Sequence, residues 1–313
     1  MLARGPRDCA LYAVGAGRTS NAMGYAFRIV NVFTIDDDRF SGNPLCVFED
    51  ARGLTEAQMQ ALARQFNLSE TTFVLPPTRE GADAHVRIFT PGFEMPFAGH
   101  PTLGTTSVIA SPTYVGRAAG RTTLTLQVKA GLVPVTSDGT TWTLKTARPP
   151  ETRAVDASNA ELAQMLGLPD GAVSDQPLWV NTGSEQLVIP IASKELVRAA
   201  APSYELLAKY GMSPTREEAM AYLWAKGADG EDDLVRFFFT LSGSVIEDPA
   251  TGSACANLGG WHIATKQPLP IMRTLRQGEA VDRPSRLGLR VDAEGGVFVT
   301  GAVIELGRGS IEL

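Results

Sequence analysis

Several residues of this chain stand where acid/base or anion-binding chemistry could be done. Glu70 closes Asn67-Leu-Ser-Glu70 and leads into the apolar run Thr71-Thr-Phe-Val-Leu75. On its letters alone it is either a solvated carboxylate at a strand start or a carboxylate walled by apolar groups. In the second case burial disfavours the charged form, raises the pKa and suits the group to general acid/base work. His100 lies between Gly99 and Pro101, and Asp248 precedes Pro249 in Glu247-Asp-Pro-Ala-Thr-Gly-Ser253. Asp248 can be read as a turn residue. His100 differs from His85 and His262, which read as structural or surface residues, because Gly99 and Pro101 fix its backbone at a helix entry. Gly252 and Ser253 read as an N-cap pair, and Asn43 as a loop residue in Ser41-Gly-Asn-Pro44.

These residues fall in two glycine-led segments, Pro96–Gly104 and Glu247–Gly259, each running into an apolar stretch that reads as a helix, Thr105–Ala110 and Gly260–Thr265. His100 and Ser253 are 153 residues apart, close to half the folded chain. The letters of the two segments barely agree, so placement alone suggests an internal duplication. Each segment offers unpaired N–H groups at a helix start. Two such starts facing one cleft would hold a carboxylate or another anionic group. The alternative is two buried helices with ordinary turn glycines.

Strands and a few helices must carry these groups. Phe27–Thr34, Leu45–Phe48, Thr71–Leu75, Val86–Thr90, Thr122–Val128 and Thr141–Leu144 read as strands from their β-branched, aromatic or alternating character. Thr55-Glu-Ala-Gln58 and Ser158-Asn-Ala-Glu161 have capping-box spacing and open helices. Further along, Leu178–Val180 and Leu187–Ile191 read as strands, and Glu195–Ala200 and Tyr204–Lys209 as helices. Ser213-Pro214 looks like a helix start, yet Met220, Tyr222 and Trp224 alternate, which predicts a strand over 219–225 paired across Gly227–Gly230 with Leu234–Thr240. No regular βαβ alternation is present. The expected organisation is an extension over residues 1–25, with Met23 as the natural start, one half over 26–147, a second over 148–297, and a C-terminal segment, 298–313, returning to the first half.

Composition bounds the rest. The chain has 313 residues, 44% hydrophobic and 20% charged, enough to bury a core. A net charge of −6 without a basic block argues against a nucleic-acid surface. No apolar run has the roughly 18–20 residues that cross a bilayer, so no membrane partner and a cytoplasmic setting are expected. Cys9, Cys46 and Cys255 form neither a disulfide framework nor a zinc pattern, and no metal is expected.

From Phe27 to Leu306 the chain resembles the phenazine-biosynthesis PhzF-like proteins of the diaminopimelate-epimerase-like fold. The residues carrying the resemblance are Ser41–Pro44, Asn67–Phe73, Arg87–Pro91, Pro96–Thr102, Val180–Gly183, Glu247–Ser253, Gln277-Gly278 and Arg283–Ser285. The resemblance implies an α+β fold of two similar halves, each a curved, mostly antiparallel sheet round a central helix, with the site between them. It also implies a homodimer, no cofactor, and an isomerase that moves a proton within a small carboxylate-bearing cyclic or unsaturated substrate. In that scheme Glu70 transfers the proton, while His100 and Asp248, a candidate pair, orient the substrate. Gly99, Gly252 and Ser253 then lie against its carboxylate, with Asn43 nearby. The family's best-known reaction is isomerisation of trans-2,3-dihydro-3-hydroxyanthranilate.

Rival chemistries leave marks in the same letters. Cofactor-free racemases of this fold use two facing thiols, but the residue after Gly99 is His100, and Cys255 falls inside a helix where a buried apolar thiol is expected. A Ser253–His100–Asp248 hydrolase triad lacks a Gly-x-Ser-x-Gly elbow. A small-acid-binding protein without catalysis would keep the fold but exchange no protons.

Overall fold

The computed structural model describes residues 24–313 apart from 117, 140 and 217; residues 1–23 of the expected extension, and the start at Met23, lie outside the described residues. The first strand begins at Gly24, two residues before the expected folded start, and buries Tyr25. The first half comprises β1 (Gly24–Val32), β2 (Asn43–Phe48), α1 (Glu56–Phe66), β3 (Glu70–Leu75), β4 (Ala84–Phe89), β5 (Glu94–Met95), α2 (Gly99–Ala110), β6 (Thr123–Val128), β7 (Gly131–Ser137) and β8 (Thr141–Lys145). The second comprises β9 (Glu151–Ala154), α3 (Asn159–Met165), β10 (Leu178–Asn181), β11 (Glu185–Pro190), α4 (Lys194–Ala199), α5 (Tyr204–Tyr210), β12 (Met220–Ala225), β13 (Asp233–Leu241), β14 (Ser244–Asp248), α6 (Gly252–Ala264), β15 (Ile271–Gln277), β16 (Ser285–Val291) and β17 (Val297–Glu312).

Strand pairing repeats between the halves although the letters do not. In the first half β2 runs parallel to β3, β3 antiparallel to β4, and β4 parallel to β6, with the short β5 as a side branch on β4. In the second, β11 runs parallel to β12, β12 antiparallel to β13, and β13 parallel to β15, with β14 as the branch on β13. The remaining pairings are antiparallel, so the fold is α+β with two similar, mostly antiparallel halves. Strand β17 pairs with β16 and β8 near its start, then with β1 from Val303 to Glu312.

Each curved sheet wraps one helix. Helix α2 is buried along its whole length except Ser107, and α6 is nearly so, as expected of helices without a polar face. Small residues let the sheets close round them. A Cβ on Gly104 would meet Leu45 and Val32 at 2.7 and 2.8 Å, and one on Gly260 would meet Pro150 and Val180 at 2.6 and 2.7 Å. The buried hydroxyls of Thr102 and Thr106 in α2 donate to carbonyls one turn back, at 2.7 Å each.

Both central helices start earlier than their apolar stretches indicate, α2 at Gly99 instead of Thr105 and α6 at Gly252 instead of Gly260. Their opening turns are built of glycine, serine, proline and histidine, which weaken a helical pattern without forbidding the first turn; Pro101 loses only an N–H that had no partner there. The capping boxes at Thr55 and Ser158 form as expected, and β12 pairs with β13 across the Gly227–Gly230 turn.

Candidate active site

The first turns of α2 and α6 meet at the junction of the halves. A Cβ on Gly99 would stand 3.4 Å from the Cα of Gly252, and one on Gly252 would stand 3.5 Å from the backbone N of His100. The peripheral helices α1, α3, α4 and α5 are capped by the side chains of Thr55, Ser158, Ser193 and Ser203. Neither central helix has such a cap: its N-cap is Ala98 in α2 and Thr251 in α6. Gly252 and Ser253 are therefore not the N-cap pair their letters indicated; they are the first two helical residues, and their amides remain free for an acceptor. Two dipole ends converge on one point, an arrangement suited to a carboxylate.

Glu70 begins β3 and reaches this junction beside His100, the second residue of α2. Glu70 Oε2 lies 3.3 Å from His100 Nε2, yet no well-aligned hydrogen bond forms, and both atoms are otherwise without partners. The Pro44 backbone beside the imidazole favours its charged form, and Nε2 has no hydrogen-bond partner among the described residues. Burial pushes the Glu70 carboxyl up to about 8, with the negative charge of Asp248 adding to the effect. Burial also pushes His100 down to about 3, against that effect of Pro44. Near neutrality the pair is thus a carboxylic acid facing a neutral imidazole. Glu70 keeps 14% of its side chain exposed, so the carboxyl is desolvated but reachable.

Asp248, at the end of β14, completes the polar cluster. The residue facing His100 is Glu70; Asp248 accepts hydrogen bonds instead from Asn43 Nδ2 at 3.0 Å and the Thr251 hydroxyl at 2.5 Å. Burial raises its pKa to about 6, and the Thr251 and Asn43 bonds hold it lower than burial alone would. Asn43 is fully buried and also donates to the Ala250 carbonyl at 2.9 Å. It therefore ties the start of β2 to the loop before α6.

Further residues support the site, and of these Gln186 and Asn257 carry no signature in the letters. Ser253 Oγ accepts from Gln186 Nε2 at 2.9 Å; Gln186 Oε1 accepts from Asn257 Nδ2, and Asn257 Oδ1 accepts from the amide and hydroxyl of Thr182. The buried Gln277 side chain brackets Thr251, accepting from its amide at 3.2 Å and donating to its hydroxyl at 3.0 Å. Arg283 donates to the carbonyls of Ser41 and Gly42 and to Asn31 Oδ1, pinning the loop that presents Asn43. These contacts give structural content to Gln277-Gly278 and Arg283–Ser285.

The remaining chemistry-bearing residues lie elsewhere. Cys255 is buried, its thiol pushed up by burial, with Sγ 3.9 Å from the Gly288 carbonyl. His262 is packed against Trp224 and Trp261, and His85 lies on β4. Among the described residues no three His, Cys, Asp or Glu side chains converge as metal ligands. No helix of the described residues is long and apolar enough to cross a membrane.

Comparison with known proteins identifies relatives of the whole chain. Residues 30–306 match the PhzC-PhzF family, described as phenazine biosynthesis-like protein. The chain is 38% identical over 288 residues to an uncharacterized isomerase of Pasteurella multocida, covering 92% of this chain and 94% of that one. It is 34% identical over 286 residues to the trans-2,3-dihydro-3-hydroxyanthranilate isomerase of Pseudomonas fluorescens, covering 87% and 94%. A crystal structure of a Bacillus anthracis PhzF-family phenazine biosynthesis protein superposes with a TM-score of 0.78 at 23% identity, covering 93% of this chain and all of that one.

Proposed function

The chain belongs to the PhzC-PhzF family and is an isomerase; from that premise we propose that it moves a proton, without a cofactor, within a small carboxylate-bearing cyclic or unsaturated substrate. The observation that carries this reading is the Glu70 carboxyl, pushed up to about 8 and 3.3 Å from a neutral His100, beside two uncapped helix starts. The substrate carboxylate docks on the amides of Gly252 and Ser253 and against Gly99. Glu70, as carboxylate, takes a proton from one carbon; the double bond shifts, and the resulting acid returns the proton to a second carbon. A carboxylate whose conjugate acid has a pKa near 8 is a far stronger base than an exposed one, yet still an acid able to give the proton back. His100 and Asp248 orient polar substituents, and holding donor carbon, acceptor carbon and one carboxyl together supplies the orientation term.

The resemblance to the Pseudomonas fluorescens enzyme makes trans-2,3-dihydro-3-hydroxyanthranilate the first substrate to try. Proton–deuterium exchange at the isomerised carbon, followed by NMR, tests the reading. Exchange in the parent protein and its loss in Glu70→Gln are expected, whereas exchange persisting in Glu70→Gln overturns it. A two-thiol racemase is disfavoured by the burial of Cys255 and by His100 at the facing position. The family resemblance also supports a homodimer, which light scattering checks.

A further inference from the structure

A cavity of about 660 Å³ opens beside the proton-transfer site, and none of Glu70, His100 and Asp248 lines it. One wall comes from the first half, with Phe93, Met95 and Phe97; the other comes from the second, with Asn181, Ser184 and Arg216. Both walls lead to the reacting groups. Phe97 is three residues from His100, a reach of at most ~10 Å, and Ser184 is two residues from Gln186, which bonds Ser253. A volume of this size lies within the range of about 300–1,000 Å³ typical of ligand pockets and exceeds what a single-ring acid fills.

The charge in this cavity is uneven. Glu185 is neutralised by Arg153, which donates to both its oxygens at 3.0 Å, and by the Ser213 hydroxyl. Arg216 has no comparable partner. Its Nη1 donates to the Ser184 hydroxyl, its Nε is buried without an acceptor, and its Nη2 bonds none of the described residues. Among the described residues the nearest carboxylate, Glu218, is 3.9 Å from Nε, too far for a hydrogen bond. A guanidinium whose Nε is buried and whose Nη1 bonds only Ser184 keeps its Nη1–Nη2 edge for a planar oxyanion in two-point contact, in a cavity that also has an apolar wall.

We propose that this cavity is a second substrate subsite, in which Arg216 binds a carboxylate at the far end of the substrate and the Phe93–Phe97 wall covers the apolar segment between. The substrate class is then a dicarboxylic acid, one carboxylate on the uncapped helix starts and one on Arg216. This rests on the isomerase reading above for the first carboxylate only. Glu218 sets the strength of the second contact, because its charge competes for the same guanidinium.

Calorimetric titration with matched pairs tests it: adipate against hexanoate, pimelate against heptanoate, suberate against octanoate. For at least one length the diacid is expected to bind about tenfold or more tightly than its monoacid, the discrimination that a single charge-assisted contact supplies. Arg216→Met keeps the apolar stem and should abolish the difference while leaving monoacid affinity unchanged; Glu218→Gln should widen it. Arg216→Lys, which keeps the charge but not the fork, should retain only part of it and guards against a folding defect in the methionine variant. Equal binding of diacid and monoacid, binding of neither, or an unchanged preference in Arg216→Met overturns the proposal. The two readings fail separately: a diacid preference without proton exchange removes the isomerase reading and keeps the subsite, whereas exchange without the preference does the reverse.

Discussion

Glu70 Oε2 and His100 Nε2 face each other at 3.3 Å with no other partner for either atom, one on the first residue of a strand and one in the first turn of a helix. A carboxylic acid and a neutral imidazole at that distance can share a proton with little movement, so the acid's readiness to ionise is set by its surroundings. Burial and the charge of Asp248 are the two influences that raise it.

The pH dependence of catalysis follows from that ordering. If Glu70 starts the cycle as base, kcat/KM rises with pH through about 8. Asp248→Asn removes the smaller of the two influences, so the same limb should move to lower pH while persisting. A limb that stays at the same pH in Asp248→Asn would show that the titrating group is not Glu70.

Glu70→Gln keeps the shape of the side chain and removes only its acid/base function. Turnover should fall by about 10²–10⁴-fold with substrate binding largely retained. Cys255→Ser should leave exchange near the parent rate, since the thiol is buried away from the Glu70–His100 pair and bonds only a backbone carbonyl. The opposite pattern would transfer the proton chemistry to the thiol.

His262 predicts a stability effect away from the site. Both ring nitrogens are buried without partners between Trp224 and Trp261, and burial together with the charges of Arg273 and Lys226 pushes its pKa down to about 4. The folded state therefore binds fewer protons than the unfolded state between about 4 and 6.5, so this stability contribution is complete above 6.5 and is lost as pH falls toward 4. His262→Phe should raise stability at neutral pH by ~1 kcal/mol, through removal of an unsatisfied buried donor. It should also flatten the acid limb of melting temperature against pH. A variant with the parent's acid limb would assign that limb to other groups.

Phe33 and Gly301 predict a paired effect. Phe33 holds a left-handed backbone, with φ of 65°, and its fully buried ring lies where a Cβ on Gly301 would come within 2.2 Å and one on Gly252 within 3.1 Å. Gly301→Ala should destabilise the protein by ~1–3 kcal/mol through overpacking. Phe33→Leu in the same chain should recover part of that loss, a coupling that a double-mutant cycle in urea reads directly. Strict additivity would mean that the ring is not what excludes the methyl.

Backbone-demanding residues were the legible ones. Gly99, Pro101, Asp248 before Pro249, Gly252 and Ser253 keep distinctive letters because few residues serve at a helix start or a close approach, and the structure brings the two helix starts they mark together. Gln186 and Asn257 give no signal, because an amide gains its role only from a partner dozens of residues away. The letters of strand β17 show no strand pattern and indicate only a returning segment. Its three glycines interrupt the alternation, and the structure explains two of them, Gly301 and Gly309, as seats for the rings of Phe33 and Phe27. The helix starts were placed late for a related reason: the residues that open the anion site are poor helix formers.

The antiparallel seam of β1 with β17 bears on the order in which the chain can fold. Arg28 and Glu305, ion-paired at 3.0 Å across this seam, are 277 residues apart in sequence. Until the C-terminal strand has been synthesised, β1 has β2 on one side and an open edge on the other, and the sheet around α2 stays incomplete. Closing that seam is an entropically slow, long-range step that comes last, and the unpaired edge of β1 is the surface through which two unfinished chains would join.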